Sequence, residues 1–174
     1  NNIDTDQIYP ARYLTTTNRQ GLGQYCFLDW RQNPASEHFR LFKHLDTQRQ
    51  RILVAGDNLG CGSSREHAVW SLLDFGFKAV ISTRFGDIFY ANALNNGLLL
   101  IPVDQETHEF LFQHDQQLLH IDIETREIDI PGLGRKEFSL DQFFSYCLIN
   151  DTNALGYLLQ HRDEISTYES GNPA

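Results

Sequence analysis

The chain has 174 residues, about one domain's worth of sequence, and 41% are hydrophobic, enough for a sizeable single core. A formal charge of −9 argues against nucleic acid and anionic membrane surfaces as main partners, so any basic site for an anionic ligand is local. No apolar run approaches the roughly 20 residues of a membrane helix, and no low-complexity tract suggests disorder.

Arginine outnumbers lysine 11 to 3, which favours bidentate contact with carboxylate or phosphate. Cys26, Cys61 and Cys147 are odd in number and widely spaced, with no C-x-x-C pair. They form neither a disulfide scaffold nor a metal-ligand set, and reduced thiols in the cytoplasm are the expectation. The chain contains no methionine and starts at Asn1, which leaves room for residues ahead of it.

In chain order, Asn1–Pro10 reads as a short extended segment, and Thr15–Gly23 has the composition of a mobile loop. Tyr25–Trp30 is apolar and aromatic and is expected in the core, and a short helix is expected around Glu37–Leu45. Arg51–Gly56 reads as a buried strand and Asp57–Ser64 as a glycine-rich turn. Arg65–Phe75 then reads as a helix ended by Gly76. A strand over Lys78–Ser82 leads to a helix over Phe85–Asn95, with Phe85, Ile88, Phe89 and Asn92 on one face. A third strand covers Leu98–Val103. This alternation predicts parallel pairing with right-handed crossovers. Later come a short helix after Thr107, strands over Leu119–Glu124 and Glu127–Ile130, and helices over Phe138–Tyr146 and Asn153–Tyr168. The reading is one compact α/β domain over residues 1–174, a largely parallel sheet flanked by helices.

The chemistry concentrates in Gly56-Asp-Asn-Leu-Gly60-Cys-Gly62-Ser63-Ser64-Arg65-Glu66-His67, which follows a strand and opens a helix. Uncapped N–H groups and the helix dipole at such a junction make an anion site. The glycines allow close backbone approach, Arg65 supplies a fork for a carboxylate, and a serine alkoxide would be stabilised there. The bland alternative is a capping box from Ser63 to Glu66. A third dinucleotide-motif glycine, a P-loop Gly-Lys-Ser/Thr and a G-x-S-x-G elbow are all missing.

Three stretches in order, IDTDQIYPARYL from Ile3, GDNLGCGSSREHA from Gly56 and STRFGDIFYANALNNGLLLIPV from Ser82, resemble the small-subunit family of 3-isopropylmalate dehydratase. These are stand-alone swivelling β/β/α domains of the aconitase superfamily. The resemblance implies Ser63 as the base that removes a carbon-bound proton. It implies Gly62, Ser64, Arg65 and Asp6 as substrate-binding residues. It also implies that this chain binds no cofactor, and that a large subunit carries a 4Fe-4S cluster and joins it in a heterodimer. The substrate would be a small dicarboxylate on the leucine-biosynthesis route, and the cytoplasm the location. Residues after Tyr13-Leu14 face the variable substituent in this family, here Thr15, Thr16, Thr17 and Arg19. Arg19 keeps a carboxylate-bearing substrate open, so a homoaconitase-like or methyl-malate hydro-lyase stands as an alternative, as does a non-catalytic anion-binding module. Capping is the other reading for Asp6 and Asp4, an ion pair for Arg84, and a packed or hydrogen-bonded imidazole for His67. Tyr25, Phe27 and Trp30 are candidate docking aromatics.

Overall fold

The computed structural model describes residues 1–46, 48–49 and 51–171. Its middle layer is a parallel sheet, β1 (Ile52–Val54), β2 (Ala79–Ser82) and β3 (Leu99–Pro102), in that spatial order. Ile52 pairs with Ala79, and Ala79 with Leu99. The crossovers are α4 (Glu66–Phe75) and α5 (Asp87–Asn96), closed by Gly76 and Gly97. The preceding elements are α1 (Thr5–Ile8), α2 (Leu28–Gln32) and α3 (Phe39–Lys43).

Alternation along the strands sends side chains to both faces. Val80 and Leu100 join Ala68, Val69 and Leu72 of α4 and Phe89 and Ala93 of α5 in one core. Ala79, Ile81, Leu99 and Ile101 face a second core with Leu111, Ile128, Ile130 and Phe144. That second core is covered by α6 (Gln105–Gln113), the antiparallel sheet β4 (His120–Asp122), β5 (Glu127–Ile130) and β6 (Gly134–Glu137), and α7 (Gln142–Ile149). Each such buried aliphatic contributes about 1.5–3 kcal/mol. The terminal helices α8 (Ala154–Gln160) and α9 (Arg162–Gly171) bury no residue and add none of this.

The α/β alternation and the parallel sheet match the sequence reading, and several boundaries differ for identifiable reasons. The extended segment Asn1–Pro10 is broken by α1, because Asp4 accepts from Asp6 and Gln7 N–H while Gln7 Oε1 accepts from Asp4 N–H. In α5, Phe85 precedes the helix and Ile88 is exposed; Phe89 and Ala93, four residues apart, form the buried face. Helix α6 starts before Thr107 because Asp104 caps the Thr107 N–H. Helix α7 starts at Gln142 because Asp141 caps the Phe144 N–H, leaving Phe138 and Leu140 as core residues ahead of it. The helix expected over Asn153–Tyr168 is divided at His161. Strand β6 was not anticipated, since Gly-Arg-Lys-Glu has no apolar alternation and its pairing to β5 supplies its order. Phe27 is fully buried, Tyr25 stacks on Tyr13 and Trp30 on His38, so these aromatics are core and edge packing rather than an open docking face.

The turn that feeds α4 is caught between two segments. Asn2 N–H donates to Asp57 O, Gly60 N–H to Ile3 O and Thr5 N–H to Cys61 O, at 2.7–3.0 Å. On the other side Leu59 N–H donates to Arg84 O and Gly86 N–H to Leu59 O, at 3.1 and 2.9 Å. Gly60 has φ +76°, and a Cβ there would lie 2.2 Å from Phe89 Cγ. Both left-handed strain and overpacking therefore oppose any side chain. Gly60→Ala is expected to destabilise the fold by about 2–4 kcal/mol, read as a lowered urea midpoint at unchanged slope. A loss below about 0.5 kcal/mol, within the range of an unconstrained surface change, would contradict this packing.

Candidate functional site

Backbone geometry places Ser63, Ser64 and Arg65 at the mouth of α4. Gly62 has φ +99°, and a Cβ there would sit 3.3 Å from Asp4 Cβ, so the chain passes close to the first turn of α1. Thr5, 2% exposed, donates from Oγ1 to Ser63 O at 2.8 Å and fixes the serine's backbone. The side chains of Ser63 and Ser64 are exposed. Arg65 is the N-cap residue of α4, and among the described residues no side chain caps the helix. The expected box from Ser63 to Glu66 does not form, because Ser63 stands three residues before the first helical residue. Glu66 instead accepts from Asn96 Nδ2 at 3.0 Å. The Glu66 and His67 N–H groups thus have no partner among the described residues, with the positive end of the dipole behind them, while Ala68 N–H donates to Arg65 O at 3.2 Å.

Arg65 lies half-buried against Asp6. Its Nη1 donates to Asp6 Oδ1 at 2.5 Å, and the same oxygen accepts from Ala11 N–H at 2.7 Å. The Ala11 N–H contributes most to holding the Asp6 carboxyl below its usual range, followed by the Arg65 guanidinium; partial burial opposes both. Asp6 is therefore an anion at neutral pH that ties α1 to the start of α4. The remaining Arg65 donors have no partner among the described residues.

The loop after Leu14 is tied to the same helix. His67 Nε2 lies 2.6 Å from Thr16 O, and since a carbonyl only accepts, the ring donates from Nε2. The Arg19 guanidinium lies over the Trp70 ring, 4.9 Å from its centroid. Trp70 Nε1 donates to Asn96 Oδ1 at 2.8 Å. Thr15, Thr16, Thr17 and Arg19 are exposed. The structure thus joins Asp6 to Arg65, Thr5 to Ser63, Thr16 to His67 and Arg19 to Trp70. It records no contact from Thr15 or Thr17 to Ser63, Ser64 or Arg65 among the described residues.

Arg84 donates to Asp57 Oδ2 at 2.9 Å, the ion-pair reading of this residue. The Thr83 hydroxyl, then Arg84, holds the Asp57 carboxyl below its usual range. A cleft of about 400 Å³ beside them is lined by Thr83, Arg84, Phe85, Asp87, Tyr90 and Pro102, away from Ser63. Among the described residues no three His, Cys, Asp or Glu side chains are placed to hold one metal ion. All three cysteines are free, and burial pushes the Cys26 thiol up to about 12. Among the described residues no set of cysteines is placed together as an iron–sulfur cluster would need.

Sequence reasoning missed Thr5, Trp70 and Asn96. Thr5 and Asn96 sit in stretches already informative for other reasons. Trp70, partly buried against the core, carried no signal that set it apart from a packing residue.

Residues 1–106 match the aconitase C-terminal domain family, a span that includes α1, the glycine-rich turn and α4. The 3-isopropylmalate dehydratase small subunit of Solibacter usitatus is 46% identical over 174 residues, covering 100% of this chain and 88% of that protein. The chain belongs to the 3-isopropylmalate dehydratase small-subunit family. The small subunit of Anaeromyxobacter dehalogenans is 44% identical, over 98% of this chain and 90% of its own. In the same family, the crystal structure of 3-isopropylmalate dehydratase from Methanocaldococcus jannaschii superposes with a TM-score of 0.67 at 30% identity. It covers 95% of this chain and 91% of that one.

A depressed carboxylate pKa stabilises the fold above the unfolded value, about 3.9, and that contribution is lost as pH falls through the folded value. NMR titration of Asp6 is expected to give a midpoint below the ordinary value. In Arg65→Ala the midpoint should rise yet stay depressed, because the Ala11 N–H remains. An unshifted wild-type midpoint would contradict the site geometry.

Proposed function

We propose that this chain is the small subunit of a 3-isopropylmalate dehydratase, a hydro-lyase acting with a large subunit on 2-isopropylmalate. In this reading the chain works as one swivelling domain over residues 1–174, in the cytoplasm. The names of its full-length relatives support it. The observation that carries the chemistry is the cluster of Ser63, Ser64 and Arg65 at an uncapped helix start, with unpartnered guanidinium donors beside two free hydroxyls.

Dehydration breaks a C–H bond and the C–O bond on the neighbouring carbon, forms a C=C bond and releases water. Rehydration returns the proton and hydroxyl with their positions exchanged. Ser63 Oγ takes the carbon-bound proton as a base, and the open N–H groups of α4 stabilise its alkoxide. Arg65 grips a substrate carboxylate with its remaining donors, and Ser64 and the Gly62 backbone add hydrogen bonds to that carboxylate. Asp6 fixes the Arg65 guanidinium through a single Nη1 donor. A 4Fe-4S cluster carried by the large subunit would supply a Lewis acid for the departing hydroxyl.

Ser63→Ala is expected to lower kcat by at least about a hundred-fold, in the range of lost acid–base catalysis, while fold and association with the large subunit persist. Arg65→Lys keeps the charge but loses the fork, and KM for 2-isopropylmalate should rise about ten-fold or more. Steady-state kinetics with the reconstituted pair, beside a pull-down and circular dichroism, make the check. A Ser63→Ala enzyme with most of its activity would overturn the assignment of the base.

A further inference from the structure

The loop holding the candidate specificity residues has few ties of its own. Asn18 N–H donates to Thr16 Oγ1 and Gln20 N–H to Asn18 Oδ1, both within the loop. Its C-terminal end is held where Gly23 N–H meets Asp74 Oδ2 at 2.7 Å. Between the ends, two contacts fasten it to α4: His67 to Thr16 O, and Trp70 to the Arg19 guanidinium. The Trp70 ring is itself locked. Its N–H is held by Asn96 of α5, which also donates to Glu66 and to Asn92 O, and the His67 ring packs at 4.7 Å.

We propose that Trp70 is a positioning residue for substrate choice: it parks the Arg19 guanidinium along α4, away from the substrate's variable substituent, and so favours a neutral alkyl group over a carboxylate-bearing one. The inference rests on the hydro-lyase reading above. Trp70 lies five residues beyond Arg65, roughly 7 Å along the helix axis at 1.5 Å per residue. A guanidinium held there is engaged by the ring face rather than by a ligand seated at the helix start. Released, it is a mobile cation next to the site, and its planar fork suits a second carboxylate. Chain charge does not oppose such a release, since Arg19 has no carboxylate partner among the described residues.

Two readouts separate the pieces. In the isolated chain, trypsin cleavage after Arg19, followed by mass spectrometry, reports whether the guanidinium is held. Cleavage is expected to accelerate about two- to five-fold in Trp70→Leu, the worth of one exposed cation–π contact. Trp70→Phe, the milder change should Trp70→Leu fail to fold, should lie between. In the pair with the large subunit, Trp70→Leu should lower the kcat/KM preference for 2-isopropylmalate over homocitrate by a similar factor or more. Adding Arg19→Gln to Trp70→Leu should restore the preference. Unchanged cleavage in both Trp70 variants overturns the parking of Arg19. Faster cleavage with an unchanged preference, or a changed preference that Arg19→Gln leaves in place, overturns its role in substrate choice. A wild-type pair inert on both acids overturns the hydro-lyase reading instead, and the cleavage result stands by itself.

Discussion

Five backbone hydrogen bonds trap the Asp57–Gly62 turn between the N-terminal segment and the residues after β2. At about 1 kcal/mol net each, together they outweigh the single Arg65–Asp6 ion pair, whose carboxylate is more than half exposed. The turn needs glycine where it crosses Phe89, and again where it brushes Asp4. Everything chemical depends on this clamp. It delivers Ser63, Ser64 and Arg65 to the start of α4 with both serines exposed and Arg65 held on Asp6, and among the described residues no side chain caps that helix. An ordinary Ser or Asp cap would stabilise the helix by about 1 kcal/mol. Here that stabilisation is forgone, and the open N–H groups remain for a ligand.

The same helix organises two further layers. One turn into α4, His67 and Trp70 meet the Thr15–Arg19 loop, and Glu66 is bound through Asn96 to α5. The start of α4 and the loop thus share one rigid element, buried along Ala68, Val69 and Leu72. A substrate that seats on the helix start meets a loop whose position α4 already defines.

The parallel core was legible because Ile52–Val54, Ala79–Ser82 and Leu99–Pro102 are short apolar runs separated by amphipathic helices with glycine stops. The Gly-Cys-Gly-Ser-Ser-Arg stretch was legible as a site for the same reason, since it falls between a strand and a helix. What escaped was decided by contacts distant in sequence. The uncapped start of α4 follows from where the clamp ends, not from the Ser-x-x-Glu spacing. The turn at Thr5–Ile8 follows from an Asp4–Gln7 box hidden in a polar segment. Strand β6 is ordered by its partner, and the position of Arg19 by Trp70, 51 residues on. The helices α7–α9 leave Phe143, Ile149, Leu155, Leu158 and Leu159 largely exposed, which periodicity alone does not foretell.

In the proposed division of chemistry this chain brings the base and the carboxylate grip, and a second chain brings the rest. The most direct measurement mixes this chain with its anaerobically reconstituted iron–sulfur large subunit and follows the unsaturated intermediate by ultraviolet absorbance. Parallel reactions use 2-isopropylmalate, homocitrate, citrate and citramalate. No turnover is expected from this chain alone, and turnover from the mixture, strongest on 2-isopropylmalate. An inert mixture with a demonstrably intact cluster, or full activity from the large subunit without this chain, would contradict it.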